Sequence, residues 1–175
     1  MNKITQILPD IGGDELEQIT QSISDKWLTE GPKSKEFLEH IKEFTGSKYA
    51  VLAPNGTLGL YLGLLALDLP KDSEIIIPSF TFFASASSAI FAGLKPVFVD
   101  VDKDTYNIDV SKIEALITEN TKAIMPVHIY GHSSDMEDIM ILADKFDLKV
   151  VEDAAQAYGV RYKEKHCGTF GDISM

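Results

Sequence analysis

Leu148-Lys149-Val150-Val151-Glu152-Asp153-Ala154-Ala155-Gln156-Ala157 is the stretch that decides how this chain is read. Its first half is an apolar run suited to a parallel strand covered on both faces. That strand delivers a carboxylate, Asp153, to its C-terminal end, the edge at which open α/β sheets bind ligands. A carboxylate buried behind Val150 and Val151 is costly without a cation or several donors. A protonated ring nitrogen of a planar ligand would satisfy it, and the Gln156 amide, three residues on, can reach the same ligand. The competing readings make Asp153 a helix N-cap or an ion-pair partner of Arg161 or Lys163.

Outward from this strand, strand-like and helix-like segments alternate with little filler. Helical apolar spacing covers Asp14–Leu28, through Leu16, Ile19, Ile23 and Trp27, and Ser34–Thr45, through Phe37, Leu38, Ile41 and Phe44. Strands are expected at Lys48–Ala53, Glu74–Ile77, Pro96–Val101, Ala123–Val127 and Leu148–Glu152. Helices are expected at Gly56–Leu67, Phe80–Phe91, Ser111–Ile117 and Asp135–Phe146. The end of the chain, Gly168 to Met175, reads as a turn entering one more strand. Such alternation implies a three-layer α/β fold with a mainly parallel sheet and right-handed crossovers.

The 175 residues suffice for one domain with a real core, and 45% hydrophobic with 25% charged residues is a globular balance. No run approaches the ~18 apolar residues of a membrane span. Nor does the N-terminal MNKITQILPD look like a signal peptide. A net charge of −11 and a pI near 4.7 argue against a nucleic-acid surface. They do not forbid a phosphorylated ligand, since backbone amides at a helix start hold phosphate whatever the overall charge. The single cysteine, Cys167, excludes an internal disulfide framework and points to the cytoplasm.

Four segments fall where strand ends meet helix starts. In Pro54-Asn55-Gly56-Thr57, the Gly56 and Thr57 amides could point at a phosphate; the plainer reading is an N-cap by Asn55 or Thr57. In Pro78-Ser79-Phe80-Thr81-Phe82-Phe83, three aromatics in four residues read in isolation as hydrophobic plugs. Phe82, by position, could instead lie flat against a planar ring. In Pro126-Val127-His128-Ile129-Tyr130-Gly131-His132, His128 is expected to fasten the loop. A metal site made by His128, His132 and Asp135 is disfavoured by their spacing. The fourth segment is Asp153 with Gln156.

Taken in order, these pieces resemble the pyridoxal-phosphate-dependent nucleotide-sugar aminotransferases, the DegT/DnrJ/StrS group of fold type I. The resemblance runs from about Leu16 to Met175. It includes Trp27-Leu28-Thr29-Glu30-Gly31-Pro32, Glu74-Ile75-Ile76-Ile77-Pro78-Ser79-Phe80-Thr81-Phe82, Pro96-Val97-Phe98-Val99-Asp100-Val101-Asp102 and Gly168-Thr169-Phe170-Gly171-Asp172. It implies that Gly56 and Thr57 hold the cofactor phosphate and that Phe82 stacks on the pyridine ring. Asp153 would pair with the ring nitrogen, and Gln156 would hydrogen-bond near the phenolic oxygen. A nucleotide-linked keto-sugar, an amino donor such as glutamate, and a homodimer are implied for the full-length enzyme.

The resemblance also implies a limit. In the family, the lysine that forms the Schiff base lies about ten residues beyond the equivalent of Ser174-Met175. Residues 1–175 are therefore expected to be the N-terminal part of the large domain, without the small C-terminal domain and inactive alone. A keto-deoxysugar dehydratase of the same family and a non-catalytic fragment are the alternatives. An unrelated doubly wound nucleotide-binding domain is disfavoured, because no Gly-x-Gly-x-x-Gly turn follows a strand. Cys167 is expected to be a semi-exposed spectator.

Overall fold

A computed structural model describes residues 8–175; most of the N-terminal stretch judged unlike a signal peptide lies outside them. A five-stranded sheet organises the chain. Its strands are β1 (Glu74–Pro78), β2 (Lys95–Val99), β3 (Thr121–Ile124), β4 (Lys149–Glu152) and the short terminal strand Ile173–Ser174. The spatial order is β2-β1-β3-β4 and then the terminal strand, with every pairing parallel. The strand direction thus agrees with the expected mainly parallel sheet.

Side-chain alternation explains why the strands read as unbroken apolar runs. Ile75, Ile77, Ala123, Met125 and Val151 face one layer, with Leu60, Leu64, Ala84 and Ala89. Ile76, Ile124 and Val150 face the other, with Met136, Ile139, Leu142 and Ala143. Successive strand residues point to opposite faces, so a sheet covered on both sides must be apolar at every position. The first layer is α3 (Gly56–Ala66) and α4 (Phe83–Phe91); the second is built on α5 (Met136–Phe146). The N-terminal helices α1 (Glu15–Ser24) and α2 (Pro32–Thr45) contain no buried residue. Leu16, Ile19 and Ile23 of α1 are exposed, as are Trp27 and Leu28 beyond it.

Three expectations are corrected. Lys48–Ala53 is not a strand: Tyr49 and Val51 are exposed, and among the described residues nothing pairs with them. A strand exists only with a ladder partner, whatever its β-propensity. Ser111–Ile117 is not an α-helix but two 3₁₀ turns, Val110–Lys112 and Glu114–Leu116. Asp109 accepts from the Ser111 amide and hydroxyl, the kind of local bonding that competes with a helix. The helix expected from Phe80 begins only at Phe83, because Phe82 is extended at φ −67°, ψ 142°.

Between β4 and the terminal strand the chain makes a hairpin, β5 (Arg161–Tyr162) with β6 (Lys165–His166), and we number the terminal strand β7. A tight turn then returns the chain to the sheet. Gly171 is obligatory there, since a Cβ would stand 2.4 Å from the Val150 carbonyl oxygen. Among the described residues no helix is long and apolar enough to cross a membrane.

Candidate functional site

The parallel sheet brings the ends of β1, β3 and β4 to one edge, and Asp153 sits at its centre. Its backbone bridges Val127 and is fastened on both sides: its amide donates to Pro126 O at 2.9 Å and its carbonyl accepts from the His128 amide at 3.1 Å. The side chain is only 4% exposed. Asp153 Oδ2 accepts from the Ser85 hydroxyl at 2.7 Å, and Oδ1 from the Ala155 amide at a long 3.3 Å. Neither alternative cation comes near. Arg161 donates to the Glu164 carbonyl, and Lys163 pairs with Glu137. No helix follows for Asp153 to cap. A buried carboxylate therefore reaches the ligand edge without a cation among the described residues.

The other three segments connect to Asp153. Ser85 lies one helical turn into α4, and its amide donates to the Phe82 carbonyl at 3.1 Å. Phe82 and Phe83 are 71% and 76% exposed, so neither is a hydrophobic plug. Phe80 instead packs beside Tyr106 and Tyr130, with ring centroids 5.7 and 6.2 Å away. Gln156 Oε1 accepts from the Tyr130 amide at 2.6 Å, which commits the carbonyl end and leaves its NH2 as the free donor. That bond also holds Tyr130 in the left-handed region at φ 54°, which a residue with a Cβ adopts only at a cost.

At the start of α3 the Asn55 carbonyl group caps the Leu58 amide at 3.0 Å, as the plainer reading held. The cap leaves two donors over: among the described residues the Gly56 and Thr57 amides have no acceptor. Both ends of the macrodipole argument apply there, since free amides and the positive helix terminus favour an anion together. Met175 links this helix start to Asp153. Its carbonyl accepts from the Ala154 amide at 2.7 Å, while a Cβ on Gly56 would stand 2.9 Å from its Cε.

His128 is fully buried and structural, as expected. Its Nδ1 accepts from the Ser134 amide at 3.0 Å, which places the ring hydrogen on Nε2, 3.0 Å from Glu152 Oε2. His132 is engaged with Asn107, and Asp135 accepts from the Tyr162 hydroxyl, so the three groups of the disfavoured metal reading are engaged separately. Cys167 is buried rather than semi-exposed, and burial pushes its thiol above the usual range.

Sequence reasoning passed over Glu152. It is completely buried and accepts four bonds: His128 Nε2 and the Gly168 amide at Oε2, the Phe170 and Gly171 amides at Oε1. One signal was available, an acid directly after the apolar pair Val150-Val151 within the strand. A concavity of about 830 Å³ lies elsewhere, between α2, α5 and the β5–β6 hairpin. It is lined by none of Gly56, Thr57, Phe82, Asp153 and Gln156, so the chemistry selects the sheet edge.

Fold and site define a three-layer parallel α/β domain whose ligand edge joins an uncapped pair of amides to a cation-free buried carboxylate. The chain belongs to the DegT/DnrJ/EryC1/StrS aminotransferase family, which it matches over residues 9–175. It is 42% identical over 175 residues to a GDP-perosamine synthase of Escherichia coli O157:H7, a match covering 99% of this chain and 48% of that protein. Its structure superposes on an aminotransferase from Psychrobacter cryohalolentis with a TM-score of 0.89 and 40% identity, covering 95% and 42% of the two chains. It also superposes on the E. coli GDP-4-keto-6-deoxy-D-mannose-3-dehydratase with bound hydrated PLP, with a TM-score of 0.89 and 29% identity over 94% and 44%. The chain thus spans about half the length of these relatives.

Proposed function

We propose that this chain forms the pyridoxal-phosphate-holding N-terminal part of the large domain of a nucleotide-sugar aminotransferase. The observation that carries the reading is the buried, cation-free carboxylate of Asp153, joined through Met175 to the helix start that carries the free Gly56 and Thr57 amides. An anionic phosphate suits the amides and a cationic ring nitrogen suits the carboxylate, which are the two ends of one cofactor. When bound, pyridoxal phosphate supplies an electron sink for chemistry at the amino group. Asp153 keeps the ring nitrogen protonated, Gln156 donates its NH2 near the phenolic oxygen, and exposed Phe82 covers one face of the ring.

The whole protein's reaction is transfer of an amino group, with glutamate as donor, to a keto-sugar carried on a nucleotide, for polysaccharide or glycoside biosynthesis. Its 42% identity to a GDP-perosamine synthase favours this over dehydration, the second reading, which the superposition on a dehydratase supports. Among the described residues no lysine hydrogen-bonds to Asp153, Gln156, Gly56 or Thr57. We place the protein in the cytoplasm, as a homodimer when full length.

Binding of pyridoxal phosphate, followed by absorbance and equilibrium dialysis, tests the reading. Saturable, reversible binding weakened at least about tenfold in Asp153→Ala is expected, since a paired buried charge is lost. Binding that ignores Asp153, or none at all, refutes it. The chain alone is expected to release no 2-oxoglutarate from glutamate.

A further inference from the structure

Helix α4 is built of small residues from Ala84 to Ala89, all buried. Its three serines do not behave alike. Ser87 and Ser88 donate to carbonyls of their own helix, Ala84 O at 3.4 Å and Ser85 O at 3.1 Å. That is the ordinary fate of a mid-helix hydroxyl. Ser85 instead leaves its helix and reaches 68 residues along the chain, to Asp153 Oδ2 at 2.7 Å. Behind it, the Thr81 hydroxyl lies 2.8 Å from Ser85 Oγ.

Proton counting fixes the direction of this chain. A carboxylate only accepts, so the single Ser85 hydrogen goes to Asp153; the Thr81 hydroxyl must then donate to Ser85. Each bond polarises the next, and the one to the ionised group is the stronger. Among the described residues no ionisable group bonds to the Asp153 side chain. His128 faces Glu152, Arg161 donates to Glu164 O and Lys163 pairs with Glu137. Oδ2 is therefore held from behind, while Oδ1 has one long bond to an amide.

We propose that Thr81 and Ser85 form a hydroxyl relay that positions the Asp153 carboxylate, tying down Oδ2 and reserving Oδ1 for a cationic ligand nitrogen. The inference rests on the cofactor reading above and deepens it. Both hydroxyls are positioning residues: they act on the ligand only through Asp153.

Urea unfolding of the cofactor-free chain tests the relay with two double-mutant cycles, Ser85→Ala with Asp153→Ala and Thr81→Val with Asp153→Ala. Coupling of about tenfold in the unfolding equilibrium is expected for Ser85 with Asp153, and about threefold for Thr81 with Asp153, which do not touch. In pyridoxal phosphate titrations, Thr81→Val is expected to weaken binding about threefold, and Thr81→Ser to restore it. Additive cycles overturn the proposal, as does a Thr81→Ser variant that binds like Thr81→Val. Should Ser85→Ala fail to fold, the Thr81 cycle decides alone. Coupled cycles in a chain that binds no pyridoxal phosphate would uphold the relay and sink the cofactor reading. Additive cycles in a chain that does bind it would sink only the relay.

Discussion

Glu152→Gln removes one acceptor oxygen from a fully buried side chain that accepts four hydrogen bonds. The two carboxylate oxygens take two donors each, at 3.0 and 2.7 Å on Oε2 and at 2.6 and 2.8 Å on Oε1. Glutamine keeps one oxygen and turns an NH2 toward the other two donors. His128 cannot rescue it by moving its hydrogen, because Nδ1 already accepts from Ser134. Two buried donors left unsatisfied cost about 1–3 kcal/mol each. Water can reach the half-buried Gly168–Gly171 side, so the lower part of that range applies, about 3 kcal/mol in all. With m near ~2 kcal/mol/M, the urea midpoint falls by about 1.5 M. Thermal melting falls by roughly 6–12 °C for a chain of this size. Glu114→Gln is the control, since its pair with Lys145 is more than half exposed on both sides and contributes under about 1 kcal/mol. A Glu152→Gln midpoint no lower than the control's would refute the reasoning.

Two further outcomes follow from charge and burial. Because burial raises the Cys167 thiol, little thiolate exists at neutral pH, and a disulfide reagent should react slowly with the folded chain and rapidly in urea. Fast reaction in the folded state would show that this segment opens. Asp102 is held below its ordinary value of 3.8 by the Thr105 and Asp104 amides and then the Thr105 hydroxyl. A depressed carboxyl contributes stability that is present above its unfolded value and lost as pH falls through the folded one. The melting deficit of Asp102→Ala should therefore be full near pH 6 and shrink below about pH 4; a deficit independent of pH would assign it to packing.

Much of the fold was legible because its signals are local. Ile75-Ile76-Ile77 must be a doubly covered strand, since no single face can hide three consecutive apolar side chains. Asp153 was legible because it follows the apolar pair Val150-Val151 at the C-terminal end of a strand. The exposure of Phe82 was less so: the helix starts at Phe83 instead of Phe80 and leaves Phe82 extended, which periodicity does not report. Lys48–Ala53 was misread because its apolar run is real but pairing is a property of two segments.

What the sequence by itself determined was the strands of the central sheet, the apolar helices that cover them and the acid at the sheet edge. Each depends on the order of residues within ten or so positions. The tertiary structure alone decided the partners. It gave Asp153 the Ser85 hydroxyl and no cation, gave Gln156 the Tyr130 amide, and surrounded Glu152 with four donors from two loops. Such pairings join residues up to 68 positions apart, and only the packing of helices and loops on the sheet brings them within hydrogen-bond range.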